Sequence, residues 1–310
     1  MKAAVTGGSG FIGSHVVDRL VAAGHEVVVI DSRPPHRLDT VYRDVDINDL
    51  SGLVRATAGC DVIFHLAAVS NVNDAFADPV ACIDLNVTGT ARVWEAARRN
   101  NVGRAVLAST VWVYASAAGE ATVTEDTPVA VTGTEHVYTA SKLAAEMVVT
   151  SFAELYGQPY TILRYGIPFG PRMREELVIP RFTRSAFEGT PITIHGDGLQ
   201  FRNYVYVEDL AEAHLLALGE AATNQILNLE GPEPVSIRRI AEVVRDLANP
   251  LLAIEFVPSR PGDYAGREVS GAKAEALLGW TPTTSFEDGM RRYVDWWRAE
   301  ADGARRASEA

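Results

Sequence analysis

The run Thr6-Gly7-Gly8-Ser9-Gly10-Phe11-Ile12-Gly13 follows an apolar Ala3-Ala4-Val5 and opens a stretch that reads as a helix to about Ala23. A strand that turns through a glycine-rich loop straight into a helix commits a chain to βαβ construction, and so to a parallel sheet covered by helices. Gly7, Gly10 and Gly13 allow a tight turn, close backbone approach to a pyrophosphate and close helix–strand contact. The N-terminus of the helix that this run opens offers unpaired N–H groups and a dipole that favour phosphate oxygens. A second strand, Glu26 to Ile30, ends at Asp31. A carboxylate there accepts hydrogen bonds from an adenosine ribose and repels a 2′-phosphate. The dinucleotide expected is therefore NAD rather than NADP, with nearby Arg33 the one opposing sign.

Alternation continues along the chain. A short third strand precedes Asp46-Ile47, Leu50 to Thr57 reads as a helix, and Asp61 to Leu66 reads as a buried strand. That strand ends in His65-Leu66-Ala67-Ala68, where small residues let a ligand approach the strand ends. Pro79 to Arg99 reads as one helix, with proline in its first turn. Its apolar Val80, Ile83, Leu85, Val87, Val93 and Trp94 cover more than one stripe, which predicts burial on two sides. The helix after Val137 behaves likewise. Packing of both helices on a partner subunit predicts a homodimer; cover by the chain's own second domain is the competing expectation. The strand Ala105 to Leu107 delivers Ser109 and Thr110 to the C-terminal edge of the sheet, where open α/β sheets bind ligands. A hydroxyl there can reach Tyr138 or a substrate hydroxyl, or simply cap a strand end.

Tyr138 and Lys142 stand four residues apart in a stretch whose next glycine is Gly157, so both rise from one helix face. An ammonium beside a phenol favours the phenolate. Bringing a phenol pKa from about 10 to about 7 takes roughly 4 kcal/mol of favourable interaction. Of the 28 lysines and arginines only Lys2, Lys142 and Lys273 are lysines, so an ammonium at position 142 departs from the chain's habit.

After a strand from Tyr160 to Arg164 the character changes. Residues 164–202 carry Arg164, Arg172, Arg174, Arg181, Arg184 and Arg202, punctuated by glycines and prolines. The stretch reads as loop-rich substrate territory, since guanidinium groups suit phosphates and carboxylates. Further on come a strand–helix from Val205 to Leu218, a strand Gln225 to Leu229, a helix Ser236 to Leu247 and a strand Ala253 to Val257. An Arg260-Pro261-Gly262-Asp263 turn follows, then a last helix, Ser285 to Arg298, and a frayed end from Ala299. The domain boundaries expected are 1–166 for dinucleotide binding, with 203–229 returning to it, 167–300 for substrate, and a flexible tail at 301–310.

The net charge of −12 argues against nucleic acid and anionic membrane surfaces. No apolar run approaches a membrane span, and Met1-Lys2 leads directly into a strand, so neither a span nor a signal peptide is expected. Cys60 and Cys82 have no metal-like spacing and suggest incidental thiols in a cytoplasmic protein.

The assembly of TGGSGFIG, His65-Leu66-Ala67-Ala68, Asn86-Val87-Thr88-Gly89-Thr90, Ser109-Thr110, Tyr138 to Lys142, and His195 to Arg202 through Tyr206-Val207-Glu208-Asp209 resembles the extended short-chain dehydrogenase/reductases. It is most similar there to the UDP-glucose 4-epimerase-like sugar-nucleotide enzymes, over nearly everything from Lys2 to Trp297. The resemblance implies a Rossmann-like doubly wound α/β fold with a smaller C-terminal substrate domain. It implies that Gly7, Gly10, Phe11, Ile12, Gly13, Asp31, Asp46, Ile47, Leu66, Ala67, Ala68, Asn86, Ser109, Tyr138, Lys142 and Tyr165 hold or activate NAD. Thr110, Tyr138 and Lys142 would be catalytic. Thr110, Ile167, Arg174, Val178, Ile179, Arg181, Arg202, Arg260 and Asp263 would face a UDP-sugar. No metal is implied.

Two departures bear on the reaction. Where the family reads Arg-Tyr-Phe-Asn, this chain reads Arg164-Tyr165-Gly166-Ile167, and Ile167 cannot supply the asparagine's polar contact. Relatives that eliminate water or carbon dioxide carry acidic residues after the threonine, whereas this chain has Val111-Trp112. The resemblance therefore implies 4-epimerisation through a transient 4-keto sugar, UDP-glucuronic acid being favoured over UDP-glucose or UDP-galactose. A nucleotide-sugar 4-ketoreductase or dehydratase, and a non-catalytic nucleotide sensor on the same fold, are the competing readings.

Overall fold

A computed structural model describes residues 1–115, 122–130, 132, 134, 136–259 and 268–309, with side chains to residue 302. In chain order the strands are β1 (Lys2–Thr6), β2 (Glu26–Asp31), β3 (Val41–Asp44), β4 (Val62–His65), β5 (Arg104–Thr110), β6 (Thr122–Val123) and β7 (Tyr160–Tyr165). They continue with β8 (Ile167–Phe169), β9 (Ile192–His195), β10 (Phe201–Tyr206), β11 (Gln225–Leu229), β12 (Pro234–Ser236) and β13 (Ile254–Val257). The helices are α1 (Phe11–Ala22), α2 (Leu50–Ala56), α3 (Val72–Ala77), α4 (Pro79–Ile83), α5 (Gly89–Arg99) and α6 (Val137–Tyr156). After these come α7 (Val178–Glu188), α8 (Val207–Leu216), α9 (Ile237–Ala248), α10 (Ala272–Leu278) and α11 (Phe286–Glu309).

The chain forms two compact units. The first comprises Met1–Tyr165, Leu210–Leu229 and Val269–Thr281; the second comprises Gly166–Asp209, Glu230–Glu268 and Pro282–Ala310.

The first unit is built on a seven-stranded sheet in the order β11-β7-β5-β4-β1-β2-β3, every pair parallel. Its strands are apolar runs because helices cover both faces; Ala4, Val5, Val28, Val29, Ile63, Phe64, Val106 and Leu107 are all buried. On one face Trp94, Val93 and Ala97 of α5 and Val149 of α6 complete the core. The strand order reverses at β1, so the carboxyl ends of β1 and β4 bound the crevice where a doubly wound sheet takes its ligand.

The region read as a single helix from Pro79 to Arg99 departs from that expectation. It is α4, then a π-helical turn over Asp84–Thr88, then α5, and α3 precedes it unforeseen. The wide turn accompanies Asn86, whose amide bonds both Val69 backbone groups and Ser141 Oγ, so α4 and α5 present their faces at a changed angle. Burial on two sides holds only in part. Val93 and Trp94 are buried, whereas Val80 is 70% exposed, Ile83 39%, Val137 37% and Met147 56%. This leaves an open apolar face on α4 and α6.

In the second unit β12, β10 and β8 form a mixed sheet and β9 pairs in parallel with β13. Phe169, Tyr204, Tyr206 and Phe286 pack ring on ring at its centre. The 164–202 stretch is more regular than its glycines and prolines suggest, for they mark element ends. Pro180 lies in the first turn of α7, and Gly189, at φ +73°, ends that helix in the left-handed conformation. The helical backbone of α11 continues to Glu309, past the stop expected near Arg298, through a sequence rich in helix-forming Ala, Arg and Glu.

Candidate functional site

The glycine loop is shaped by what cannot fit there. A Cβ on Gly7, whose φ is +71°, would lie 2.6 Å from the Ala67 amide nitrogen, and one on Gly13 would lie 2.1 Å from the Gly7 carbonyl oxygen. Helix α1 follows Gly10 as its N-cap, with no side-chain cap and no acidic residue in its first turn, so its leading N–H groups remain for an external anion. Asp31 stands at the carboxyl end of β2, where it accepts the Ser9 N–H at 3.0 Å and the Arg33 N–H at 3.1 Å. Each of its oxygens keeps acceptor capacity for a ribose hydroxyl. The cradle, the uncapped helix and the acidic strand end all fit a dinucleotide.

Below the loop a neutral imidazole ties the switch point together. Thr90 Oγ1 donates to Asn86 O at 2.6 Å, so it accepts from His65 Nε2 at 3.0 Å, and His65 Nδ1 accepts from Thr6 Oγ1 at 2.7 Å. Burial, reinforced by the Lys142 charge, pushes His65 down to about 3, so it stays neutral. Leu66, Ala67 and Ala68 leave β4 beside this group, and the Leu66 N–H donates to Thr6 O. Asp46 caps its own turn by accepting the Asn48 N–H, while Ile47 is buried against Gly89.

Helix α6 carries the reactive pair. Tyr138 and Lys142 share a face, and Lys142 Nζ donates to the Ala108 carbonyl of β5 at 3.0 Å. Burial lowers the Lys142 pKa to about 8, against the opposing pull of Cys82 and Glu146. Thr110 ends β5, buried, with its hydroxyl accepting the Trp112 N–H at 3.2 Å. The Trp112 ring lies 5.7 Å from that of His136, two residues before Tyr138.

Several expected ligand residues direct their side chains into the fold instead. Ser109 Oγ donates to Glu146 at 2.5 Å. Asn86 bonds Val69 and Ser141. The Tyr165 hydroxyl donates to His214 Nε2 at 2.6 Å, and His214 Nδ1 donates to Leu210 O. Burial raises Tyr165 well above an ordinary phenol, with the Tyr138 charge adding to it. Arg164, counted with the substrate arginines on sequence, is buried on Glu146 through Nε at 3.0 Å and Nη2 at 2.6 Å. A cation at the end of a buried strand is held by its interior carboxylate, so it leaves that set.

In the second unit Ile167 begins β8, half-buried beside Tyr204 of β10. Arg174 lies 3.4 Å from Glu176. Val178 and Ile179 open α7, Ile179 fully buried, and Arg181 is exposed on the same helix. Arg202 is half-buried and donates to the Phe201 carbonyl. Arg260 and Asp263 lie outside the described residues. Among those described, no cluster of His, Cys, Asp and Glu is arranged to hold a metal, and no helix is long and apolar enough to cross a membrane.

Residues 3–229 match the NAD dependent epimerase/dehydratase family, and the chain belongs to it. NAD is accordingly its cofactor. A UDP-glucose 4-epimerase of Mycolicibacterium smegmatis is 32% identical over 96% of this chain and 99% of its own length. A UDP-glucuronate 4-epimerase of Thermodesulfobacterium geofontis is 30% identical over 94% of each. The structure of a Thermotoga maritima UDP-glucose 4-epimerase with UDP-glucose superposes with a TM-score of 0.90, at 28% identity, covering 97% of this chain and all of that one. The chain spans about half the length, 48%, of another relative, a trifunctional UDP-glucose 4,6-dehydratase/UDP-4-keto-6-deoxy-D-glucose 3,5-epimerase/UDP-4-keto-L-rhamnose-reductase of Arabidopsis thaliana, 30% identical over 97% of the chain.

Sequence reasoning named His65 only as part of the motif that ends β4, without its hydrogen bonds, and missed Glu146, His214 and the π-helical turn. Of these three, Glu146 carried a readable signal, since it continues the four-residue spacing of Tyr138 and Lys142.

Proposed function

We propose that the protein is an NAD-dependent 4-epimerase of a UDP-sugar, with UDP-glucuronic acid preferred, working as a cytoplasmic homodimer. The observation that carries the reaction is the buried Lys142 amine one helical turn from Tyr138, with no acidic side chain at positions 111 and 112 beside Thr110. NAD, when bound, supplies the acceptor and donor of a hydride at the sugar's C4.

The residues manage the proton. Tyr138 Oη, as phenolate, takes the proton of the sugar 4-hydroxyl and later returns it. Lys142, protonated below its pKa of about 8, stabilises the phenolate by its charge. Thr110 Oγ1 bridges Tyr138 and the 4-hydroxyl. Val111 and Trp112 offer no group to move a proton at C5, so the 4-keto sugar neither eliminates water nor loses carbon dioxide. It rotates about its diphosphate and is reduced on the other face, while Arg202 and Arg260 hold the diphosphate.

Two observations support the finer parts. For the sugar it is the likeness to the UDP-glucuronate 4-epimerase, 30% identical over 94% of each chain, with Arg174, which lies 3.4 Å from Glu176, as the candidate cation for the C6 carboxylate. The exposed Val80, Ile83, Val137 and Met147 form an apolar face suited to a second copy. The test is a panel of UDP- and TDP-sugars given to purified protein carrying its own NAD. C4 inversion without added cofactor is expected, and stoichiometric consumption of reduced cofactor would assign a 4-ketoreductase instead.

A further inference from the structure

Tyr138, Lys142 and Glu146 stand at i, i+4 and i+8 of α6 and so share one face. Two of them grip consecutive residues of β5: Lys142 donates to Ala108 O, and Glu146 accepts from Ser109 Oγ. The next residue of that strand is Thr110. Glu146 also takes both arms of Arg164, which lies directly opposite Ser109 in the β5–β7 register. Arg164 Nη1 in turn donates to Tyr114 Oη at 2.5 Å, and Tyr114 donates to Asn228 Oδ1 of β11 at 2.9 Å. Both side chains of the ion pair are about 5% exposed or less.

Such a pair is a poor choice if stability were its purpose. Desolvation of both charges offsets their attraction, and apolar residues of similar volume are often as stabilising. What apolar residues lack is direction: a bidentate guanidinium and a hydroxyl fix Glu146, and with it the rotation and height of α6, against β5.

We propose that Ser109, Glu146 and Arg164 are positioning residues that set the spacing between Thr110 on β5 and the Tyr138–Lys142 face of α6. Turnover depends on them while affinity for NAD and sugar nucleotide does not. The inference rests on Thr110, Tyr138 and Lys142 being the reacting group.

The test compares Glu146→Leu/Arg164→Met, Ser109→Ala and Ser109→Thr, assayed on UDP-glucuronate and UDP-glucose. The double variant should keep its NAD content and melt within about 5 °C of wild type. Its KM should stay within about threefold, while kcat falls about 10- to 100-fold, the scale of an ångström-sized misplacement. Amide exchange in the first two turns of α6 should quicken, a readout independent of activity. Ser109→Ala should lower kcat about three- to tenfold, and Ser109→Thr should restore at least half of it. Wild-type kcat in both the double variant and Ser109→Ala would overturn the proposal, as would losses of kcat that merely track lost NAD or melting temperature. If the double variant does not fold, the Ser109 pair decides. Tyr138→Phe separates the two readings: an active Tyr138→Phe defeats the reacting group itself, whereas an inactive one beside normal network variants defeats only the positioning.

Discussion

Each unit buries a glutamate, and the two are kept in opposite ways. Glu146 of the first unit, 4% exposed, receives a serine hydroxyl and two guanidinium N–H groups. Burial works against the Arg164 charge, yet Glu146 and Tyr114 outweigh it and raise its pKa above the ordinary arginine value. Glu230 of the second unit, 7% exposed, has the Gly231 N–H as its partner, and its Oε2 has none among the described residues. It fills the space beside Gly166, where a Cβ would fall 2.4 Å from Oε2, and burial pushes its pKa up to about 8. A buried carboxyl is thus tied into an ion pair where a guanidinium is built beside it, while burial without such a pair among the described residues favours the neutral acid at Glu230. The first arrangement fixes direction; the second fills volume.

The largest effect expected is at the residue the first unit's network supports. Tyr138→Phe should keep fold and NAD but lose about 10²- to 10⁴-fold in kcat, the range for a proton acceptor, by steady-state kinetics. The comparison of the glutamates is broken most sharply by single changes. Glu146→Leu alone leaves Arg164 an unpaired buried cation and should cost about 3–5 kcal/mol in urea unfolding, with Arg164→Met in the same chain recovering most of it. Arg174→Ala, in the second unit, should lower kcat/KM for UDP-glucuronate about 30- to 150-fold, the equivalent of roughly 2–3 kcal/mol, while sparing UDP-glucose.

Glu230→Gln should do the reverse of Glu146→Leu. A carboxyl whose folded pKa is raised binds a proton the unfolded chain has released, so stability falls as pH climbs from the unfolded value near 4.5 toward about 8. Removing the ionisable group should therefore stabilise the protein by roughly 1–3 kcal/mol at pH 8 and by almost nothing at pH 4.5. Melting temperatures at the two pH values measure it, and an equal gain at both would mean that Glu230 is not held protonated.

The sequence disclosed what repeats a local rule. The glycines at 7, 10 and 13, the acidic end of β2 and the Tyr138–Lys142 spacing each follow from one element's geometry, and the sheet followed from their alternation. The network escaped because Ser109, Glu146, Arg164, Tyr114 and Asn228 meet only when β5, α6, β7 and β11 are stacked. Arg164 read as a phosphate ligand for the same reason: charge is visible in a sequence, whereas the carboxylate that claims it is not. The π-helical turn at Asp84–Thr88 likewise depends on Val69 and Ser141, distant in sequence from Asn86. Elements within 164–202 were hidden by glycines and prolines that end a helix or turn rather than prevent one.

The central claim is that hydrogen leaves C4 of the sugar and returns to the same carbon from the other side. UDP-glucuronate and UDP-glucose deuterated at C4, incubated with the protein carrying its own NAD and no added cofactor, test it by proton NMR of the products. The account predicts the C4 epimer of at least one sugar with deuterium fully retained at C4. Exchange of that deuterium for solvent hydrogen, or no inversion of either sugar, would contradict it.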